Sequence, residues 1–312
     1  MRIPAILGAA AVASLLATSA LAAPEGWAPL LEPQELNSIL ETNEDVRVIR
    51  VSGAYNEGHI PGAVESAYAE WRGPAENPGA LRDLAHFTDL VQELGIEADT
   101  PVVVVHQGSD QTDMGTAARV YWTLKSLGVE DLALLNGGFE AWKKAGLPVE
   151  TDVVEVAASG FEPRWSDEWR VTTSEVEQLV ETGDARLIDA RPENFFQGLM
   201  WTIADPGTLP GAGNLTYDKW FEGERMVGPD EAARIAAEYG QDEAPVTVSF
   251  CNTGHWAAIN WFALSELAGI EDTKLYAESM AEWTMAERPV ANQPSAVTYY
   301  WLSTKRWVAD LI

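Results

Sequence analysis

Cysteine is almost missing from this sequence: there is one, Cys251, in 312 residues. A single thiol excludes an intramolecular disulfide and any CxxC-type metal or redox motif. Basic charge is scarce too, with 20 Lys and Arg against 48 Asp and Glu and a formal charge of −28. A chain this acidic has no basic patch to offer a nucleic acid or an anionic membrane, and both are excluded as partners. The four histidines include no pair at metal-ligand spacing. After the first 22 residues, no run approaches the ~18 uncharged residues of a membrane span. The chain does have apolar and aromatic residues throughout, 46% hydrophobic with 13 Trp, which excludes collagen, coiled coil and bulk disorder. Its length suits about two domains, each able to bury a core.

Residues 1–22 read as a secretory signal peptide. Arg2 supplies the positive start, Ile6 to Leu21 is apolar, and Ala20-Leu21-Ala22 is an A-x-A cleavage site followed by Pro24. An uncleaved anchor is the alternative, since the run is close to spanning length. No Arg-Arg pair or nearby Cys indicates twin-arginine export or a lipid anchor. Cleavage would remove one base and no acid, leaving a soluble periplasmic or secreted chain with no membrane attachment.

The remainder is one pattern written twice. Pro101-Val-Val-Val-Val-His-Gln107 matches Pro245-Val-Thr-Val-Ser-Phe-Cys251 at an offset of 144. Ile60-Pro-Gly-Ala63 matches Leu209-Pro-Gly-Ala212, and Gly137-Gly-Phe-Glu-Ala-Trp142 matches Glu278-Ser-Met-Ala-Glu-Trp283. So long a period means a duplicated domain and not a solenoid. Strands are expected at Arg47 to Val51, Val102 to Val105 and Leu132 to Leu135, with counterparts at Leu187 to Asp189, Val246 to Phe250 and Lys274 to Tyr276. Helical patterns cover Leu84 to Leu94, Ala117 to Leu127, Glu231 to Tyr239 and Ala257 to Leu267. Alternating strands and helices predict an α/β fold, each half a mostly parallel sheet with helices on both faces. The expected divisions are a first domain over 23–150, a linker over 151–170, a second domain over 171–295 and an aromatic tail, 296–312, packing on a domain surface.

The chemistry concentrates in Phe250-Cys-Asn-Thr-Gly-His-Trp-Ala257, a loop between a strand and a helix. Ligands of open α/β sheets bind beyond the carboxyl ends of the strands. A loop that curls into a helix start aims backbone N–H groups inward, and the helix dipole favours a thiolate there. Gly254 permits a turn that most residues resist. Cys251 can instead be read as a small buried hydrophobe. Its place among polar loop residues, in a chain read as exported, favours a reactive thiol.

Asp189-Ala-Arg191, Leu209-Pro-Gly-Ala212, the Cys251 loop and Tyr276…Glu282-Trp283 resemble, in that order, the rhodanese (sulfurtransferase) pattern. The first half carries the same signature in Gly58-His-Ile-Pro-Gly-Ala63 and Leu135-Asn-Gly-Gly-Phe-Glu-Ala-Trp142. The arrangement resembles the tandem thiosulfate and 3-mercaptopyruvate sulfurtransferases, two rhodanese-like domains of which the N-terminal one is inactive. The resemblance implies a double displacement in which Cys251 takes the sulfane sulfur of a small donor as a persulfide and passes it to a thiophilic acceptor. Amides from Asn252, Thr253, Gly254, His255, Trp256 and Ala257 would hold the persulfide, with no metal and no organic cofactor.

The sequence also departs from that pattern. Gln107 stands in the first half where Cys251 falls, in a longer loop, so that half reads as scaffold. Asp189 and Arg191 read as an ion pair, or with Arg191 facing a donor anion. Thr208 replaces a usual His, and Glu278-Ser279 replace a common Gly. His255 would carry positive charge for a donor anion, orient an acceptor, or simply lie in solvent. Trp256 is a pocket wall or an interface residue. His106 and His59 read as structural, and His86 has no evident partner. A Cys-loop phosphatase needs Cys-x5-Arg, and the sixth residue after Cys251 is Ala257. A sulfur carrier handing its persulfide to an acceptor protein stays open as a second reading. A catalytically dead interaction protein is weakened by the retained Cys.

Overall fold

The computed structural model describes residues 23–240 and 244–309; the expected signal peptide lies outside them. The first domain builds a five-stranded, all-parallel sheet from β1 (Leu30–Leu31), β2 (Arg47–Arg50), β3 (Val64–Glu65), β4 (Val102–Val105) and β5 (Leu132–Leu135), in the order β1-β5-β4-β2-β3. Its helices are α1 (Pro33–Leu40), α2 (Leu84–Glu93), α3 (Met114–Ser126) and α4 (Gly138–Lys144). The second domain has α5 (Thr173–Thr182), β6 (Ala185–Asp189), α6 (Glu193–Phe196), β7 (Gly213–Asn214), a hairpin of β8 (Phe221–Glu222) and β9 (Arg225–Met226), α7 (Pro229–Tyr239), β10 (Val246–Phe250), α8 (Trp256–Phe262), β11 (Thr273–Leu275) and α9 (Ser279–Met285). Its main sheet is also parallel, in the order β11-β10-β6-β7. A parallel bridge from Arg170 to Leu275 stands where β1 stands in the first sheet, so the two topologies superpose strand for strand.

The central strands explain why. Val102 to Val105 are all buried, a β-branched run with no polar alternation, as a parallel strand covered on both faces requires. Register is tight: Val48 lies beside Val103 in the first sheet, and Leu187 beside Val248 in the second. The six expected strands are present, with ends moved by at most two residues. The expected Ala117–Leu127 helix begins earlier, at Met114, because Asp110 accepts the Asp113 amide and Asp113 anchors the Thr116 hydroxyl, starting the turn upstream. The expected Ala257–Leu267 helix runs as α8 and continues as a π-helical stretch, Ala263–Leu267.

The domains are fused along α3 and α8. Every residue of α3 except Lys125 is buried, because one face packs on its own sheet and another on α8. Tyr121 meets Phe262 edge-on at 5.1 Å and donates to Glu266 at 2.7 Å; Lys125 pairs with the same carboxylate at 2.8 Å. One apolar core therefore runs from Ile49 and Val104 through Trp122 to Ile259 and Trp261. Residues 151–169 form no helix or strand but lie against the first domain, where Gln92 donates to the Phe161 carbonyl at 2.8 Å and Phe87 meets Trp165. In the tail, α10 (Ala296–Ala309) stacks Tyr299 on Trp201 while Val297, Tyr300 and Trp301 are exposed. Among the described residues, no helix is long and apolar enough to cross a membrane.

Candidate active site

β10 ends at Phe250 and delivers Cys251 to the floor of a cavity of about 490 Å3, with the residue only 1% exposed. The loop is stitched to the start of α9. The Cys251 amide donates to Ser279 Oγ at 3.1 Å, and the carbonyls of Cys251 and Asn252 accept from the amides of Met280 and Ala281. Ser279, one of the residues replacing a family Gly, keeps a positive φ of 55° and donates its hydroxyl to the Tyr276 carbonyl at 2.7 Å. The hydroxyl thus turns a conformationally awkward position into an anchor for the cysteine backbone. Gly254 is required twice over: its φ is +68°, and a Cβ there would lie 2.2 Å from Arg119 Nη1 and 2.3 Å from the Ala277 carbonyl oxygen.

The amides of residues 252–257 donate to no other protein group among the described residues, leaving a row of N–H donors after the thiol. Asn252, Thr253, His255 and Trp256 line the cavity. Gly254 and Ala257 do not line it. Ala257 is buried, and its carbonyl accepts from Ser249 Oγ at 3.0 Å. Trp256 fills both roles open to it. It borders the cavity, stacks on Tyr217 at 4.9 Å, and reaches Thr112 of the first domain through Nε1 at 3.3 Å.

Two expectations need correction. Arg191 does not face a donor. It is buried, pairs with Asp189 at 2.6 Å, and donates to the Gly207 carbonyl and to Asn252 Oδ1 at 2.9 Å. It therefore positions the loop through Asn252. Thr208, where His is usual, completes the cluster by donating to Asp189 at 2.7 Å. His255 is not a cation and does not lie in solvent. Its Nε2 lies 2.8 Å from the Thr112 carbonyl, which can only accept, so Nε2 carries the proton and Nδ1 accepts from the Tyr68 hydroxyl at 2.9 Å. Burial in the domain interface, reinforced by the nearby Arg72, pushes its pKa down to about 4.

The first domain's share in this site is not legible in any local motif. Tyr68, Arg72 and Thr112 line the cavity. Arg119, fully buried on α3, reaches across to donate to the carbonyls of Gly254 at 3.3 Å, Ala277 at 3.4 Å and Gly79 at 3.0 Å. A buried guanidinium held by carbonyls alone is under-compensated, and burial pulls its pKa down to about 10. The contacts between the domains bridge separations of 135 to 187 residues, which no local motif announces. The other histidines are tied into the first domain. His59 stacks on Tyr55 and bonds its carbonyl at 3.1 Å; His106 is buried; His86, without an evident partner in the sequence, bonds the Glu70 carbonyl at 2.8 Å. Among the described residues no cluster of three His, Cys, Asp or Glu is arranged to hold a metal.

Comparison with known proteins agrees with this geometry. The rhodanese-like domain family matches residues 32–145 and again 172–286. A putative thiosulfate sulfurtransferase of Synechococcus elongatus is 30% identical, over 92% of this chain and 95% of its own length. The 3-mercaptopyruvate sulfurtransferase of Rattus norvegicus is 28% identical, over 75% of this chain and 80% of its own. Among solved structures, SseA from Escherichia coli, described with the rhodanese fold of 3-mercaptopyruvate sulfotransferases, superposes with a TM-score of 0.71 at 23% identity, covering 81% of this chain and 98% of SseA. The anaerobic ergothioneine biosynthesis enzyme of Chlorobium limicola gives 0.75 at 22% identity, covering 86% and 71%. With two matched domains, the same strand order in each and a Cys at the end of the second central strand, the chain belongs to the rhodanese-like sulfurtransferase family.

Proposed function

We propose that this protein transfers a sulfane sulfur from a small donor to a thiophilic acceptor through a persulfide on Cys251. One observation carries the reading: the sole thiol sits at the floor of an interdomain cavity, ahead of a row of uncommitted backbone amides. With thiosulfate, the Cys251 thiolate attacks the outer sulfur, the donor S–S bond breaks, and its electron pair leaves with sulfite. Cyanide or a thiol then attacks the outer persulfide sulfur, and the pair of the Cys251 S–S bond returns to the thiolate. The amides after Cys251 stabilise the anionic sulfur in both halves of the cycle. A thiol only 1% exposed favours small reactants over hand-off to a folded acceptor protein.

The test is intact mass after incubation with thiosulfate, 3-mercaptopyruvate or polysulfide. The wild type should gain the mass of one sulfur and lose it to cyanide, and Cys251→Ser should gain nothing. A wild type that acquires no sulfur from any of the three would sink the proposal. A persulfide that forms but passes to cyanide only very slowly would favour the carrier reading instead.

A further inference from the structure

The cavity over Cys251 has two charged side chains on its wall, Arg72 and Glu76, both from the first domain. Glu76 is exposed and Arg72 half-buried. The other cations near the site are spoken for. Arg191 is consumed by Asp189, Asn252 and Gly207, Arg119 lies beneath the loop against three carbonyls, and His255 is neutral. Arg72 is different. Its side chain makes one hydrogen bond, from Nη1 to the Tyr68 hydroxyl at 2.8 Å, and stacks its guanidinium over that ring at 5.3 Å. Among the described residues it has no carboxylate within ion-pairing distance, in a protein where acids outnumber bases 48 to 20. Most of its five N–H donors are thus uncommitted, and no unbonded nitrogen of its guanidinium is buried away from solvent.

Its position is also fixed relative to the thiol. Arg72 donates to Tyr68, Tyr68 donates to His255 Nδ1, and His255 donates through Nε2 to the Thr112 carbonyl. His255 belongs to the Cys251 loop, so the chain holds a first-domain guanidinium in register with a second-domain nucleophile. A planar fork of donors is the side chain best suited to a sulfonate or carboxylate.

We propose that Arg72 is the receptor for the anionic end of the sulfur donor, so that donors whose leaving group is an oxyanion are selected by a residue of the domain that lacks the cysteine. This rests on the sulfurtransferase reading of Cys251. The lone cysteine allows a test that does not need sulfur transfer at all. Iodoacetate and iodoacetamide alkylate a thiol by the same displacement, with loss of iodide, and differ in the negative charge of the reagent. Alkylation rates at Cys251 are measured with both reagents on the full chain, and their ratio is taken within each variant, so that a general change in thiol reactivity cancels.

The iodoacetate-to-iodoacetamide ratio should fall about tenfold in Arg72→Gln, the low end of what a hydrogen bond to a charged group contributes, and Arg72→Lys should recover most of it. The rate of sulfur uptake from thiosulfate should fall in parallel. A ratio unchanged in Arg72→Gln would overturn the assignment, as would a fallen ratio with an unchanged thiosulfate rate. A wild type that never takes up sulfur, but whose ratio falls in Arg72→Gln, would support the anion site and overturn the sulfurtransferase reading.

Discussion

The loops that follow β4 and β10 occupy the same place in two matching sheets and solve opposite problems. After β4, Gln107 stands where Cys251 stands after β10. Its side chain accepts from Arg50 and donates to Glu140 at 2.6 Å, its amide donates to Ser52 Oγ at 2.8 Å, and Asp113 accepts from Ser52 Oγ and from the Gly108 amide, both at 2.7 Å. The loop ties its centre into its own domain with side chains, while Gln111 and Thr112 at its far end reach Gly223, Tyr217 and His255 of the second domain. After β10, the loop leaves its amides uncommitted and takes its braces from the other domain: Arg119 on the Gly254 carbonyl, Thr112 and Tyr68 on His255. Thr112 belongs to this first loop, which is the longer of the two at residues 106–113 against 251–255. The first loop is therefore more than a vestige, because it docks on the loop that holds the thiol. A closed copy makes a rigid support, and an open copy exposes donors to a ligand.

The largest expected effect comes from trying to exchange the two loops. A Cys251→Ser, Gln107→Cys double variant carries a thiol at the equivalent strand end, yet it should take up no sulfur from thiosulfate. The Gln107 side chain is tied between Arg50 and Glu140, and the next two amides, of Gly108 and Ser109, are taken up by the Asp113 carboxylate. Sulfur on Gln107→Cys, detected by mass, would mean that the strand end suffices and the interdomain braces do not matter.

Next in size is the glycine of each loop. Gly254→Ala must relieve a φ of +68° and two Cβ contacts near 2.2 Å, one of them with Arg119. Strain plus overpacking should cost roughly 2–5 kcal/mol, and sulfur uptake per folded molecule should collapse with the loop geometry. Gly108→Ala meets a comparable obstacle, the Gly137 carbonyl oxygen 2.2 Å from the added Cβ at a φ of +82°. Its cost in stability should be similar, but uptake per folded molecule should persist. Denaturant midpoints together with single-turnover sulfur uptake separate the two. Equal activity losses would erase the distinction between support and site.

The sequence carries the fold because its central strands are buried on both faces and so appear as unbroken β-branched runs, as in Val102 to Val105. The two-residue strands β1, β3 and β7 were not legible, since a pair of residues carries no periodicity. In the site, Cys251, Asn252, Thr253 and Trp256 follow from a local motif, and the Asp189–Arg191 pair from a spacing of two residues. Tyr68, Arg72 and Arg119 do not, because they act across a domain interface that no single motif encodes. The charge of His255 is not legible for the same reason. Its charge state is set by burial in the domain interface and by Arg72, and its ring is oriented by Tyr68 and Thr112, all three residues from the other half of the chain.

The smallest effect, and the finest test of the comparison, lies in the two loop histidines. Burial pushes both His106 and His255 down to about 4, with Arg50 acting in the same sense on His106 and Arg72 on His255. Asp113 opposes the shift at both, and the Thr112 carbonyl opposes it at His255. An unfolded histidine binds its proton near pH 6.5 and the folded one only near 4, so between those values the unfolded chain holds more protons. Stability therefore falls as pH drops from about 6.5 to about 4, by at most about 1.4 kcal/mol per pH unit for each histidine, and this contribution levels off below that window. Titration of the many carboxylates is common to all variants and cancels in the difference from wild type. Urea midpoints measured across pH 4 to 7 should show a shallower fall for both His106→Gln and His255→Gln. The two should part in the thiol: protonating His255 removes the acceptor for Tyr68 and sets a cation beside Arg72, so the pH profile of Cys251 alkylation should change in His255→Gln and stay as in wild type in His106→Gln. Matching alkylation profiles for the two variants would show that the latch between Tyr68 and His255 does not govern the thiol, and would leave the first domain as packing alone.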